Sequence, residues 1–223
     1  YNSNLLQHVF ACGNDGAKTC SPYPAGYATI KSGFQTSKNV LSVGHFSLGL
    51  NSIAPTSSKG PVRDGRIKPE IVANGSGVVA TNQVNYYTGG FGTSNSTPVI
   101  TGICALLTER YKQLNGNAYP KAALLKAVIC NSGTDWGNPG PDYIYGFGMV
   151  NPRKAVETIE QTKYLTNTIT TGGTVTQNIS VPVGTKQVKV MLYWHDKEGV
   201  ALSSSALTND LDLTVTDGTT YQP

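Results

Sequence analysis

The sequence has little charge and lacks the patterns that mark several common functional classes. Charged residues make up 13% of its 223 residues, with 17 Lys and Arg against 13 Asp and Glu. No basic run exceeds two residues, which argues against a nucleic-acid or membrane-surface partner. No apolar stretch approaches the ~20 residues that a bilayer span needs. The length allows one well-packed core and part of a second module.

Cysteine is also scarce, with four residues and no CxxC pair. None of the three His lies near a Cys pair, which argues against a zinc site. Cys12 and Cys20 flank a short Gly-containing loop, a spacing that leaves both a disulfide and two free thiols open. Cys104 and Cys130 lie in apolar helical patterns and are interpreted as buried free thiols.

Glycine, by contrast, is abundant with 25 residues, and Ser, Thr and Asn are frequent. Together with the low charge, this composition is typical of a turn-rich enzyme that works outside the cytoplasm. We therefore expect a secreted or extracellular protein, with a periplasmic or cell-surface location as the alternative. The chain opens without Met inside a strand-like run, so we expect Tyr1 to be an internal position. The lack of a signal peptide then says nothing about export.

Strand-like runs and helices alternate over the first 162 residues. The strand-like runs cover residues 5–11, 40–43, 70–73 and 78–81. Helices are predicted at 94–114, at 120–131, and from Asn151, where a capping residue precedes Pro152. The first helix has one apolar stripe, made of Val99, Ile103, Leu106, Leu107 and Tyr111. Strands followed by crossing helices predict an α/β fold with a mainly parallel sheet.

The pattern changes after Thr162. Residues 168–196 read TITTGGTVTQNISVPVGTKQVKVMLYWHD, in which apolar and polar residues alternate and Gly marks turns. Helical periodicity is absent from this stretch. We therefore predict two units, residues 1–162 and residues 163–223, the second being the start of an antiparallel β-sandwich.

The stretch GGFGTSNSTPVITG at residues 89–102 places Ser94 between a Gly-rich approach and an apolar helix. Gly92 keeps the approach free of side-chain bulk, and the helix start leaves unpaired N–H groups that favour negative charge. Pro98 has no N–H to donate to the Ser94 carbonyl, so the first turn stays irregular. These features fit a nucleophilic serine, and they also fit a serine that only caps a helix.

Two motifs together resemble the subtilases, the subtilisin-like serine peptidases. GTSNSTPVITG resembles the family's serine motif, and Ser94 is the position that matches the nucleophile. HVFACGNDG resembles the family's strand that ends in Ala-x-Gly-Asn-x-Gly, whose Asn donates to the oxyanion, and Asn14 is the match. The resemblance implies catalytic roles for Ser94 and Asn14. It also implies a substrate-binding wall, made of Ala11, Cys12, Gly13, Gly92 and Thr93.

Other segments resemble the family in the same order along the chain. SSKGPVRDGRIKPEIVA matches the run before the serine loop, although Ala73-Asn74-Gly75 stands where Ala-Pro-Gly is usual. PKAALLKAVICNSGTDW and YGFGMVNPRKAVE resemble the closing helices. VKVMLYWHD and LTNDLDLTVTDG resemble the β-sandwich appended to certain larger secreted subtilases. The resemblance implies that residues 1–162 are the C-terminal portion of a three-layer subtilisin-like catalytic domain and residues 163–223 an incomplete β-sandwich module.

The base that such a serine needs is missing from this sequence. In subtilases the Asp motif and the His-Gly-Thr-His helix both lie upstream of the oxyanion Asn. His8 lies inside a strand, His45 follows a strand, and His195 lies in the second unit, so none of them is predicted to be the base. We therefore expect a serine endopeptidase segment that acts on protein or peptide substrates and is inactive without its N-terminal half. A non-catalytic subtilase-like binding protein is the alternative.

A calcium site is a further expectation for the second unit. Its candidate ligands, close together in the sequence, are Asp196, Asn209, Asp210 and Asp212. Hard oxygen ligands suit Ca²⁺. Turn residues and exposed strand carboxylates explain the same spacing without a metal. The resemblance favours calcium, because subtilases often carry it.

Overall fold

A computed structural model describes residues 4–200 and 203–222. Its strands are β1 (Val9–Ala11), β2 (Leu41–Ser47), β3 (Ser52–Ile53), β4 (Ile71–Asn74), β5 (Ser76–Asn82), β6 (Tyr86–Phe91), β7 (Val215–Thr216) and β8 (Thr220–Tyr221). Its α-helices are α1 (Thr93–Leu114), α2 (Ala122–Ser132) and α3 (Pro152–Glu160). The predicted capping of α3 is confirmed, since the Asn151 side chain accepts a hydrogen bond from the Lys154 N–H.

The main sheet is centred on β2. Strand β1 pairs with it in parallel, with Val9 opposite Leu41, and β4 pairs in parallel on its other side, with Val43 opposite Ile71. Strand β3 pairs antiparallel with the end of β2. The predicted α/β fold with a mainly parallel sheet is therefore confirmed, and the carboxyl ends of the parallel strands meet at one edge.

One face of this sheet carries the three helices. Alternate residues of β2 and β4 point to that face, because successive side chains of a strand point to opposite sides. They form a single buried cluster with α1, α2 and α3, which includes Leu41, Val43, Ile71, Ile100, Leu107, Leu125, Ile129 and Ile159. The opposite face packs Phe46 and Val72 against Tyr145 and Trp136. Packing against the sheet and against α2 and α3 therefore fixes the direction in which α1 leaves the sheet edge.

The apolar stripe predicted for α1 is wrong at one position. Ile103 and Leu107 are buried as expected, but Leu106 is 62% exposed. Leu106 follows Ile103 by three residues and precedes Leu107 by one, so it lies at the margin of the stripe that meets the sheet. Within the described ranges, no helix has both the length and the apolar character that crossing a membrane requires.

A buried ion network joins the start of β4 to β2 and α2. One oxygen of the Glu70 carboxylate accepts hydrogen bonds from Lys68 Nζ and from Lys126 Nζ. Its other oxygen accepts from the Ser42 N–H at 2.7 Å. Lys126 Nζ also donates to the Val40 carbonyl at 2.8 Å. Burial lowers the pKa of Lys68 to about 8, although the neighbouring Glu70 opposes this shift.

Glu70→Gln should destabilise the fold, because it leaves two buried ammonium groups beside a neutral acceptor. Removing one partner of such a network costs about 3–5 kcal/mol. Glu160→Gln is the matched control, since its ion pair with Arg110 is exposed and such pairs contribute about 1 kcal/mol or less. Denaturant melts of the two variants check this, and equal free energies of unfolding would contradict it.

The described residues after 162 contain the two short strands β7 and β8, which pair antiparallel. The predicted antiparallel β-sandwich is not confirmed. Apolar side chains that a sandwich would bury, such as Val183 and Ile179, are exposed. Short alternating runs need several paired neighbours before they are stable. The unit boundary between residues 162 and 163 stays a prediction.

Candidate active site

Ser94 lies at the start of α1, directly after strand β6. Its side chain is exposed, whereas Gly92 and Thr93 before it are buried. The backbone N–H groups of the first turn have no intrahelical acceptors. In the described part of the chain the Ser94 N–H has no acceptor. The fold therefore presents a hydroxyl and a free N–H donor together at the positive end of a 22-residue helix.

Asn14 lies three residues after the end of β1, at the same edge of the sheet. Its side-chain oxygen accepts hydrogen bonds from the Thr93 N–H at 3.1 Å and from the Thr93 hydroxyl at 3.2 Å. Both donors hold the oxygen side of the carboxamide. They therefore leave the Asn14 Nδ2 group free to donate elsewhere.

The two side chains meet at Gly92. A Cβ atom placed on Gly92 would lie 3.4 Å from Asn14 Oδ1, 3.5 Å from Asn14 Nδ2 and 3.6 Å from Ser94 Oγ. One small region of space thus borders both the hydroxyl and the amide donor. A carbonyl carbon held there would have a nucleophile and hydrogen-bond donors within reach, which is the arrangement that acyl transfer requires.

Gly92→Ala should damage this site far more than it damages the fold. Gly92 has φ 127° and ψ 172°, a region that only glycine adopts readily, and strain there costs about 1–3 kcal/mol. The new methyl group would also occupy the space between Asn14 and Ser94 Oγ. Gly89→Ala, three residues earlier on β6, is the control, because its Cβ would meet only the Gly77 Cα at 4.0 Å. If the two variants kept equal levels of the peptidase activity that the resemblance implies, this account would be wrong.

The predicted substrate wall lies at the end of β1. Ala11 and Gly13 are partly exposed, but the Cys12 side chain is buried in a cluster with Ile30 and Val62. Burial raises the pKa of the Cys12 thiol to about 12, which leaves it unreactive. In the predicted substrate wall, Cys12 could therefore offer only its backbone. The open alternative between a disulfide and free thiols resolves to free thiols at Cys12 and Cys20.

Sequence reasoning assigned no role to Ser58, although it belongs to the quoted SSKGP motif. The Ser58 N–H donates to the Gly13 carbonyl at 2.9 Å, and its hydroxyl accepts from the Asp15 N–H at 2.9 Å. These two bonds flank Asn14 on both sides. Ser58 therefore fixes the turn that aims the Asn14 carboxamide, and Thr93 fixes the carboxamide itself.

No histidine of the chain is placed as a base for Ser94 in the described structure. His8 is exposed and stacks near Phe10. His195 is exposed in the second unit. His45 lies within β2, not after a strand as expected, and its Nε2 atom is 2.7 Å from the Ser76 hydroxyl. Asp15 pairs with Lys18 at the surface.

The four candidate calcium ligands are brought together only in part. Asp196 is buried, and its carboxylate accepts five hydrogen bonds: from Lys38 Nζ at 2.6 Å, and from Thr208, Lys197 and both nitrogens of Asn209 at 2.8–3.0 Å. Asp210 and Asp212 are exposed. Among the residues described, no three His, Cys, Asp or Glu side chains are grouped to hold a metal.

These contacts do not fit a calcium ion. A lysine ammonium already lies against Asp196, and Asn209 meets the carboxylate as a donor. The Asn39 side chain completes the contact, accepting from the Asp196 N–H at 3.1 Å and donating to the Asp196 carbonyl at 2.6 Å. Asp196 therefore joins the second unit to the segment before β2, and calcium binding stays an untested prediction.

The Asp196 contact should weaken only in acid. Burial alone would raise the pKa of this carboxyl, but hydrogen bonds from Lys38, Thr208 and Asn209 outweigh burial and hold the pKa well below its usual range. A carboxyl with a lowered folded pKa stabilises above its unfolded pKa of about 3.9, and this contribution is lost as the pH falls through the folded value. The protection factors of the amides of residues 208 and 209, which compare their exchange with the intrinsic rate at the same pH, should therefore fall below about pH 4. In the Asp196→Asn variant, the same two amides should have low protection factors already at neutral pH. A melting temperature lowered by EDTA at neutral pH would restore the calcium assignment.

Comparison with known proteins agrees with the residue pattern. The sequence profile of the Subtilase family matches residues 2–148. The serine protease/ABC transporter B family protein tagA of Dictyostelium discoideum is 27% identical over 194 residues, which cover 70% of this chain and 11% of that protein. The minor extracellular protease Epr of Bacillus subtilis is 27% identical over 167 residues, which cover 70% of this chain and 22% of that protein.

A solved structure has a similar fold. The CspB protease of Clostridium perfringens superposes with a TM-score of 0.56 and 27% identity, over 62% of this chain and 30% of that chain. The chain thus spans less than a third of the length of each of these three proteins. With the family profile covering more than half of its residues, the chain belongs to the subtilase family of serine peptidases.

Proposed function

We propose that residues 1–162 are the part of a secreted serine endopeptidase that carries the nucleophile, Ser94, and the oxyanion donor, Asn14. The observation that carries this proposal is the meeting of the Ser94 hydroxyl and the Asn14 carboxamide at Gly92. A serine that only caps a helix needs no amide donor beside it. The relative named as an extracellular protease supports export.

The chemistry follows from the donors and the hydroxyl. Ser94 Oγ attacks the carbonyl carbon of a peptide bond while its proton passes to a base, and the carbonyl oxygen becomes an oxyanion. Asn14 Nδ2 and the Ser94 N–H donate hydrogen bonds to that oxyanion. The C–N bond then breaks, the amine leaves with the proton from the base, and Ser94 carries an acyl ester. Water then takes the place of the amine and attacks the ester carbon while the base accepts its proton. The ester C–O bond breaks, and Ser94 Oγ regains a proton from the base.

The base and its orienting carboxylate belong, in this proposal, to an N-terminal half outside the 223 residues. The His45 ring is hydrogen-bonded to Ser76. The side chains of His8 and His195 are exposed, and in the described structure neither is hydrogen-bonded to Ser94 or Asn14. Helix α1 also carries the exposed Leu106 beside exposed Ala105 and Gly102. These residues lie about two to three turns beyond Ser94 along the same helix, and such an apolar strip suits a covering element that also brings the base.

A non-catalytic binding protein of the same fold is the second candidate. The lack of a base among the described residues favours it. The free Asn14 Nδ2 and the accessible Ser94 hydroxyl count against it, because a binding groove does not require an oxyanion donor aimed at a serine.

A complementation experiment separates the two candidates. Residues 1–223 alone should not hydrolyse an unfolded protein such as casein. The full-length protein, or the N-terminal half added as a separate chain, should hydrolyse it by cutting at internal bonds. Full-length protein that binds casein without cleaving it would support the binding role, and cleavage by residues 1–223 alone would place the base within them.

A further inference from the structure

The buried His45 lies beneath the segment that carries Ser94. In β2 it follows Leu41 and Val43 at alternate positions, so its side chain points to the same face as theirs, towards the helices. The residue is 3% exposed. Its Nε2 atom is 2.7 Å from the hydroxyl of Ser76, the first residue of β5. A polar ring is thus placed on the face to which the two preceding alternate residues of the strand contribute aliphatic side chains.

The ring lies close to the segment that holds the nucleophile, residues 92–96, here called the nucleophile turn. The contact is made over Gly75. A Cβ on Gly75 would lie within 2.6 Å of His45 Cδ2, the Ser96 hydroxyl and the Gly92 carbonyl oxygen. Ring, hydroxyl and carbonyl therefore converge on one point, with no side chain between them.

A chain of backbone hydrogen bonds runs through the same point. The Gly75 N–H donates to the Phe46 carbonyl on β2 at 3.0 Å, and the Gly75 carbonyl accepts from the Gly92 N–H at 3.0 Å. The Gly92 carbonyl in turn accepts from the Asn95 N–H at 3.0 Å. The position of the nucleophile turn therefore depends on where residues 75 and 76 are held.

The state of the ring follows from its partners. Burial lowers the pKa of His45, so the imidazole is neutral at neutral pH. Its Nδ1 atom is buried, with no hydrogen-bond partner among the described residues. An orphaned buried N–H is costlier than an orphaned acceptor, so we assign the proton to Nε2, which donates to Ser76 Oγ. His45 thereby fixes Ser76 from inside the sheet.

We propose that His45 is a positioning residue for the peptidase reaction. Its hydrogen bond to Ser76 and its ring beneath Gly75 hold the nucleophile turn, which keeps Ser94 Oγ in its position beside Asn14. This inference rests on the proposed function. His45 does not touch the substrate and takes no proton. Loss of the hydrogen bond should let the turn shift, and a misplacement of ~1 Å can cost about 10²-fold in rate.

Three substitutions in the full-length protein test the hydrogen bond. Gln places an amide nitrogen near the position of His Nε2, whereas Asn is too short to reach Ser76 and Ala removes the group. His45→Ala and His45→Asn should lower kcat by about 10–10²-fold with KM within about threefold of wild type, and His45→Gln should keep kcat within about threefold. The exposed His8→Ala is the control and should leave kcat and KM unchanged.

A second pair of variants avoids emptying the space beneath Gly75. Ser76→Ala removes the acceptor and leaves the ring in place, so it should lower kcat like His45→Asn. Ser76→Thr keeps a hydroxyl and should retain activity. If the Ala and Asn variants at residue 45 melt at lower temperature but keep the wild-type kcat, His45 only packs the core and the inference is wrong. A His45→Gln variant as slow as His45→Ala would also overturn it.

Failure of the inference is distinguishable from failure of the proposed function. The ¹⁵N chemical shifts of the His45 ring report its tautomer in the Ser94→Ala protein, with no need for activity. They should show the proton on Nε2, and the Nδ1–H tautomer would overturn the inference. If wild-type full-length protein neither cleaves casein nor reacts at Ser94, the proposed function fails, whatever the tautomer.

Discussion

Ser94→Ala in the full-length protein should abolish peptidase activity while leaving its melting temperature unchanged. Without Oγ no acyl-enzyme forms, and the remaining donors bind an oxyanion that nothing creates. The expected loss in kcat is on the order of 10⁶, the magnitude known for the nucleophile of subtilisin itself. The fold should tolerate the change, because the Ser94 side chain is exposed at the helix start.

A matched serine separates the chemistry from general loss of hydroxyl groups. Ser96 lies two residues further along the same helix, and its buried hydroxyl has no hydrogen-bond partner among the described residues, so Ser96→Ala should act through packing and cost far less activity than Ser94→Ala. Steady-state kinetics and thermal melts of both variants check this. If Ser94→Ala turned over within a few-fold of wild type, Ser94 would not be the nucleophile.

Substitution of Asn14 should give the second largest loss. Asn14→Ala removes the Nδ2 donor and should lower kcat by about 10²–10³-fold, again the magnitude known for subtilisin, with little change in KM. Asn14→Asp is more specific. Its carboxylate still accepts from the Thr93 N–H and hydroxyl, as Asn14 Oδ1 does now at 3.1 and 3.2 Å, but it has no donor for the oxyanion.

The aspartate variant should therefore be at least as slow as the alanine variant, because its negative charge opposes the charge that develops on the substrate. Thr93→Val serves as the control for orientation, since it removes the hydroxyl that holds the carboxamide and keeps the carboxamide itself. It should lose less activity than Asn14→Ala. A change in KM with an unaltered kcat in Asn14→Ala would show that Asn14 binds substrate and does not stabilise the oxyanion.

The sequence predicted well what local chemistry dictates. The start of α1 at the Gly-Thr-Ser motif, the Asn151 cap and the parallel strands before residue 162 were all expected, because capping residues and apolar periodicity are local signals. The two motifs together also led us to expect Asn14 close to Ser94. The structure adds how it is achieved, through Thr93 and the turn held by Ser58.

What the sequence missed depends on contacts between distant residues. Nothing in the pattern around Glu70 indicates that Lys126 reaches it from α2. The same holds for Asp196, a predicted calcium ligand: its ion-pair partner Lys38 lies 158 residues earlier, and no local pattern indicates that the two residues meet. His45 was placed after a strand because the predicted run covered only residues 40–43, yet β2 continues to Ser47.

Labelling of Ser94 by a fluorophosphonate probe tests the central claim most directly. The probe reacts only with a serine that is activated as a nucleophile, and mass spectrometry of the digested protein identifies the residue that carries it. The full-length protein should be labelled at Ser94, residues 1–223 alone should stay unlabelled, and adding the N-terminal half should restore the label. Full-length, folded protein that carries no label at Ser94 would contradict the assignment of these residues to a serine peptidase site.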